Sequence, residues 1–581
     1  NEFSGRSRPP TRVSQSPPRS AGMEAQKKQR YDRQLRMWGE HGQEALERCK
    51  LCLLNGSATG TEALKNLVLP GIGSFTVIDG ALVTARDLGN NFFLEEADLG
   101  RPRAECVTRL LKELNEHVRG SYVHEDVGSL IRTNPAFLDD FSLVIATQLT
   151  EPSLRLLASA CRERSLPLVV LRSYGLVGTV RVAPIEHVLV EAHSDNTPSD
   201  LRVVDPFPEL LAFARDRFGH VDTLSSSERK HVPYVVLLLH AVAEYKAAHG
   251  GALPSSYKEK QAIKAALGAL AERWFGEGGA ADALNVEEAK AAVNTALSAP
   301  SIPPSARAVM AEAEARLSAQ KPTLPPEPGQ SPTFVPDPST IRARNFWILA
   351  AALARFVRAE GKGTLPLLGV LPDMTADTSS YVELANIYRA KAAADAARVH
   401  AHAVAIAHDA GLPDDAVPVE QTVRLCKNAH SLQWLRFRSL DEELTPASAR
   451  AAQLGALLDE GGDAPAAALY VLLRAADAFH ARYNRWPGTM DDDIESDVPL
   501  LKQCVGQLLS EYRQGGATLT IRDDLVFEMC RYGAAELHTV AAIVGGVASQ
   551  EVLKLVTGQY VPLNNTYIYN GLNGTGVVAE L

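Results

Sequence analysis

Apolar positions first gather at Lys50–Leu54 (KLCLL), a short run that reads as a strand and ends in a turn-forming stretch, Asn55-Gly56-Ser57-Ala58-Thr59-Gly60. Thr61–Leu69 (TEALKNLVL) follows with helical spacing, and after Pro70-Gly71-Ile72-Gly73 a second strand is predicted at Ser74–Asp79 (SFTVID). The alternation continues with a helix at Arg103–Asn115 and strands at Tyr122–Glu125, Ser142–Ala146 and Leu166–Leu171. Strand, glycine turn, helix, strand and a terminal acid make the first unit of a doubly wound, Rossmann-like α/β fold.

The texture then changes. Ala-rich segments of helical period dominate residues 186–515, among them Tyr257–Arg273, Glu287–Leu297, Phe346–Glu360 and Ala385–Ala410, with a proline-dense loop at Pro322–Pro338. From residue 516 strand-like stretches return: Leu519–Ile521 and Tyr567–Tyr569 flank a long apolar helix, Thr539–Val556. The expected organisation is one α/β domain, residues 23–185 and 516–581, split by a mainly helical insertion over residues 186–515.

Composition narrows the class. With 581 residues, 46% hydrophobic and 22% charged, the chain has an ordinary globular make-up. A net charge of -10 argues against a nucleic-acid-binding surface. Seven scattered cysteines fit a reducing compartment, cytoplasm or nucleus, better than a disulfide framework. The apolar runs Val232–Val242 and Val540–Ala548 are too short and too interrupted to predict a membrane span. Residues 1–22, with four Arg and four Pro, read as a disordered leader outside the fold.

Candidate chemistry centres on the glycine turn. Gly56 and Gly60 sit where backbone would approach a phosphate, but Ser57 and Ala58 add Cβ atoms that would crowd it, so a tight turn without ligand is the better fit. Asp79 stands where a ribose-binding acid belongs, or serves as a turn residue before Gly80. These residues alone leave an NAD-dependent oxidoreductase open, although no catalytic His or Tyr accompanies them. Cys49–Cys52 is a CxxC pair without a second pair, so core packing is expected rather than zinc, and no metal site is predicted. His400 and His402 read as a solvated helix face.

Several stretches together resemble the adenylation domains of ubiquitin-like activating enzymes: Arg30–Gly39 (RYDRQLRMWG), Glu62–Asp79, Leu99–Glu105 (LGRPRAE) and Gly545–Leu555 (GGVASQEVLKL). The segments around LGNNFFL, RYGAAELHTVAAIVGG and NNTYIYNG are most similar to the regulatory, non-catalytic branch that serves neddylation. A SUMO-type regulatory subunit is the nearest alternative, and its insertion is expected to be far shorter. The resemblance implies a pseudo-adenylation domain, its insertion standing where a catalytic-cysteine domain would but lacking that cysteine. It also implies a heterodimer with a catalytic activating-enzyme subunit, the ubiquitin-like modifier of neddylation and a conjugating enzyme as further partners, and Mg-ATP in the partner subunit rather than in this chain.

The resemblance also marks what is missing. Ala81 stands where catalytic subunits carry a second Asp, Asn90-Asn91-Phe92 where an Arg-Gln pair follows an Asn-rich turn, and Arg103 where they carry a phosphate-facing Lys. Thr147-Gln148-Leu149 replaces a magnesium-binding Asp, and no cysteine has the expected Pro-x-Cys-Thr setting. Gly56, Gly60 and Asp79 are then a relic pocket. One functional residue is carried over: Arg33, in RYDRQ, corresponds to an arginine sent across the dimer to the ATP phosphates. A planar, always-charged fork suits that task, while a surface pair with Asp32 or Glu40 is the simpler structural role.

Overall fold

A computed structural model describes residues 28–193, 200–275, 283–298, 301–319, 338–445, 465–490, 493–513 and 521–581. The leader, most of the proline-dense loop and Leu519–Thr520 lie outside the described residues; Ile521 itself is not in a strand. The chain divides into two compact units, one of residues 1–185, 437–557 and 562–581, the other of residues 186–436 and 558–561.

The first unit is built on an eight-stranded sheet. Its strands are β1 (Lys50–Leu54), β2 (Ser74–Ile78), β3 (Arg119–Val123), β4 (Leu143–Thr147), β5 (Leu168–Tyr174), β6 (Val177–Val182), β9 (Thr566–Asn570) and β10 (Thr575–Ala579); β7 (Glu186–Leu189) and β8 (Gln433–Arg436) belong to the second unit. Their spatial order is β10-β9-β6-β5-β4-β1-β2-β3. The strands from β3 to β5 are parallel, and β6, β9 and β10 continue antiparallel, so the sheet is mixed. The order reverses between β1 and β4, and ligands of open α/β sheets bind at such a switch point.

Alternation along β1 sets the layers. Cys52 and Leu54 join Val144 and Ala146 of β4 in a core with the helices Val127–Thr133 and Glu151–Glu163, while Leu53 faces the helix Ala58–Val68. Beside Ala58–Val68 runs His538–Thr557, and a Cβ added at Gly545 would lie 2.7 Å from the Ala63 nitrogen, so glycine permits this close crossing. At 20 residues His538–Thr557 is long and apolar enough by length and composition to cross a membrane, longer than the Val540–Ala548 run suggests. It lies mostly buried in the first unit and packs as a core helix.

Residues 437–445, 465–490 and 493–513 group with this first unit, whereas the sequence placed them in an insertion running to 515. The reason is packing. Leu469, Leu472, Phe479 and Leu501, from the helices Ala466–Tyr483 and Ile494–Arg513, bury themselves with Tyr174, Val177 and Ile568 of the sheet. Helical period shows that a face is buried, not what it is buried against.

Among its described residues the second unit is helical apart from the antiparallel pair β7–β8. Two apolar clusters meet along its longest helix, Thr378–Asp409, whose N-cap Asp377 accepts the Ser380 amide at 2.9 Å. Arg316 makes paired hydrogen bonds to Glu186, and its guanidinium lies 4.0 Å from the Trp347 ring centre. His400 and His402 are half-buried and engaged with Thr422 and Glu360, not simply solvated.

Candidate functional site: the glycine-turn crevice and Arg33

The crevice forms where β1, β2 and β4 end. Asn55 closes β1 in the left-handed region, φ 67°, with its side-chain amide donating to the Thr147 carbonyl at 2.8 Å. Ser57 caps the helix Ala58–Val68, its hydroxyl accepting from the Gly60 amide. A Cβ at Gly60 would come within 2.9 Å of the Asn55 carbonyl oxygen, and one at Gly56 within 3.0 Å of Val107, so both glycines keep the turn tight.

Asp79, 1% exposed, accepts three hydrogen bonds: from the Gly56 amide at 2.8 Å, from the Ala81 amide at 2.8 Å and from Arg103 Nε at 2.7 Å. Arg103 also donates to Asp87 at 2.8 Å. Burial alone would lower the Arg103 pKa, but Asp79 and Asp87 outweigh it and raise it. At the helix N-terminus the Thr59 amide donates to Glu536 Oε2 at 2.9 Å. A cavity of about 450 Å³ lies in front, walled by Ser57, Gln148, Arg172, Tyr174, Trp486 and Glu536 among others. Arg172 pairs with Asp477 and lies over the Trp486 ring at 5.3 Å.

These groups do not fit magnesium-bound triphosphate. The helix-terminal amide already holds a carboxylate, Arg103 is taken up by two aspartates, and Asp79 has its amide and guanidinium donors. Among the described residues no group of three or more His, Cys, Asp or Glu is arranged to hold a metal ion. Cysteine chemistry is equally remote. All seven thiols are free and buried, and burial pushes Cys106 to about 11 and Cys161, Cys426 and Cys530 to about 12.

Arg33 lies elsewhere, on the helix Asp32–Arg48, which breaks at Gly39, φ 68°. Tyr31, 2% exposed, pins its start: the Tyr31 hydroxyl accepts from Asn115 Nδ2 at 3.0 Å. Arg33 itself is exposed and has no hydrogen bond or ion pair among the described residues. The carboxylates that could have paired with it are engaged otherwise, Asp32 with Arg36 at 2.9 Å and Glu40 with Lys28 at 3.0 Å. The structure thus brings Gly56, Gly60 and Asp79 together and keeps Arg33 apart from them.

Sequence reasoning missed Glu536, Arg172 and Trp486. Their signal was weak, since each is contributed to the crevice by a segment remote from the glycine turn; only RYGAAELH, which contains Glu536, stood in a segment already singled out.

Known proteins resemble the chain along its length. A model of the ThiF family matches residues 31–580. A NEDD8-activating enzyme E1 regulatory subunit of Xenopus laevis is 39% identical over 96% of this chain and 99% of its own length. The Drosophila melanogaster protein of the same description is 40% identical over 96% and 98%, and the Arabidopsis thaliana NEDD8-activating enzyme E1 regulatory subunit AXR1 is 39% identical over 95% and 96%. Matches of this extent take in the helical unit as well as the sheet, and the chain belongs to the ThiF family and, within it, to the NEDD8-activating enzyme E1 regulatory subunits.

Proposed function

We propose that this chain acts with a catalytic partner subunit, supporting ATP-dependent adenylation of the C-terminal glycine of the neddylation modifier, thioester formation on that partner, and transfer to a conjugating enzyme. The chain itself contributes no complete active site. Arg33 reaches the partner's nucleotide and steadies charge on its phosphates, and the work takes place in a reducing compartment, the cytoplasm or nucleus.

The observation that carries this reading is the contrast in charge engagement. Arg103 and Asp79 satisfy one another inside the crevice, whereas Arg33 has no partner among the described residues. A guanidinium without an internal carboxylate is available to an oxyanion brought by another molecule.

The test is modifier-dependent exchange of pyrophosphate into ATP. Exchange is expected from the assembled pair and not from this chain alone. Exchange by rigorously partner-free chain would refute the division of labour.

A further inference from the structure

The N-terminus of the helix Ala58–Val68 has what an anion needs: the Thr59 amide, the positive end of the helix dipole and the Thr59 hydroxyl. The group that fills it comes from the chain's other end. Glu536 Oε2 accepts from the Thr59 amide at 2.9 Å and from the Thr59 hydroxyl at 2.6 Å. The Glu536 carbonyl is in turn fixed by Asn90 Nδ2 at 3.0 Å, just before the helix His538–Thr557.

Two further facts concern the space in front. Glu536 lines the cavity of about 450 Å³ together with Ser57 and Gln148. Tyr174 lines the same cavity and is 1% exposed.

We infer that Glu536 is a built-in anion: its carboxylate occupies the position in which this fold receives a ligand's phosphate, and that contact closes the crevice to polyphosphates. The backbone that would bind them persists underneath. Ser57 still caps the helix, Gly60 still permits the turn, and Thr59 still offers both donors. The contact also adds a bond between residues 521–581 and the glycine turn, beside the β6–β9 pairing and the crossing at Gly545. This holds whether or not Arg33 serves a partner.

The experiment titrates the full chain with inorganic tripolyphosphate at low ionic strength, comparing the native protein with Glu536→Ala and Glu536→Gln. The glutamine keeps an oxygen for Thr59 and so preserves the fold, removing only the charge. Both variants are expected to bind at least about tenfold more tightly than the native chain, with affinity falling as salt rises. Amide exchange across residues 57–60 should quicken in Glu536→Ala and slow again when tripolyphosphate is added. A folded Glu536→Gln protein no better than native, or a gain in affinity that leaves exchange at Thr59 unchanged, would overturn the inference.

Discussion

Arg103 and Arg33 carry the same guanidinium in the same unit, in opposite surroundings. Arg103 is largely buried, bonded to Asp79 and Asp87, and its positive charge goes to holding β2 and the loop after it in place. Arg33 is exposed on a helix whose nearby acids are paired with other bases. A cation with two internal carboxylates stabilises its own fold and has little left for a ligand. A cation with no carboxylate among the described residues adds little to its own fold and keeps its charge open to solvent.

That contrast can be broken experimentally. The largest effect is expected at Arg33. In the assembled pair Arg33→Ala should slow adenylation by roughly 100-fold, the usual loss for one preorganised charge-stabilising donor. Assembly should survive, as gel filtration would report, because a single exposed charge seldom dominates a large interface.

Arg103→Met should show the reverse. Stability in urea should drop by about 2–3 kcal/mol, somewhat less than the loss for breaking a buried pair, because Asp79 loses its cation but keeps the Gly56 and Ala81 amides. Adenylation by the pair, assayed where the variant is folded, should keep its native rate. A slowed rate with unchanged stability would reverse the roles assigned to the two arginines.

The cysteines sharpen the division further. Replacing all seven with Ser should leave thioester formation on the partner intact, with a cost on the order of 1 kcal/mol at a site such as Cys52. A modifier adduct on this chain that thiol reductants remove would contradict the reading.

The smallest effect concerns pH. Burial alone would raise the Asp87 carboxyl, but hydrogen bonds from Thr84 and the charge of Arg103 outweigh it and hold it below its usual range. A depressed pKa means that the stabilisation is complete above the unfolded value of about 3.9 and is lost as pH falls through the folded value. Asp87→Asn should therefore be less stable than native by about 0.5 kcal/mol near neutrality. The two proteins should draw together as pH falls below about 3.9, as urea midpoints followed downward from pH 6 would show.

The first half of the crevice was legible because its signals are local. An apolar run, a glycine turn and an acid at the next strand's end follow one another within residues 50–79, and β1 and β2 formed where the pattern put them. The antiparallel side was not legible. β6 contains Gly178, Thr179 and Arg181, lacks a continuous apolar run, and finds one of its partners in β9 near the chain's end. Residues 437–513 were assigned to the insertion because an Ala-rich helix looks the same whether it covers a sheet or another helix. Glu536 sits just before an apolar helix, where an acid needs no tertiary contact to be explained, so its bond to Thr59 left no mark in the sequence. Resemblance singled out Arg33; only coordinates could show that Asp32 and Glu40 were already engaged.

The claim that Arg33 acts on the partner's nucleotide is tested most directly by chemical rescue. Arg33→Ala pairs, assembled and at saturating modifier, would be assayed for single-turnover adenylation with increasing guanidinium ion below denaturing concentrations. Guanidinium should restore several-fold of the lost rate in the variant and none in the native pair, with ammonium ion less effective because it lacks the planar fork. A native adenylation rate in a fully assembled Arg33→Ala pair would contradict the claim and leave this chain a scaffold.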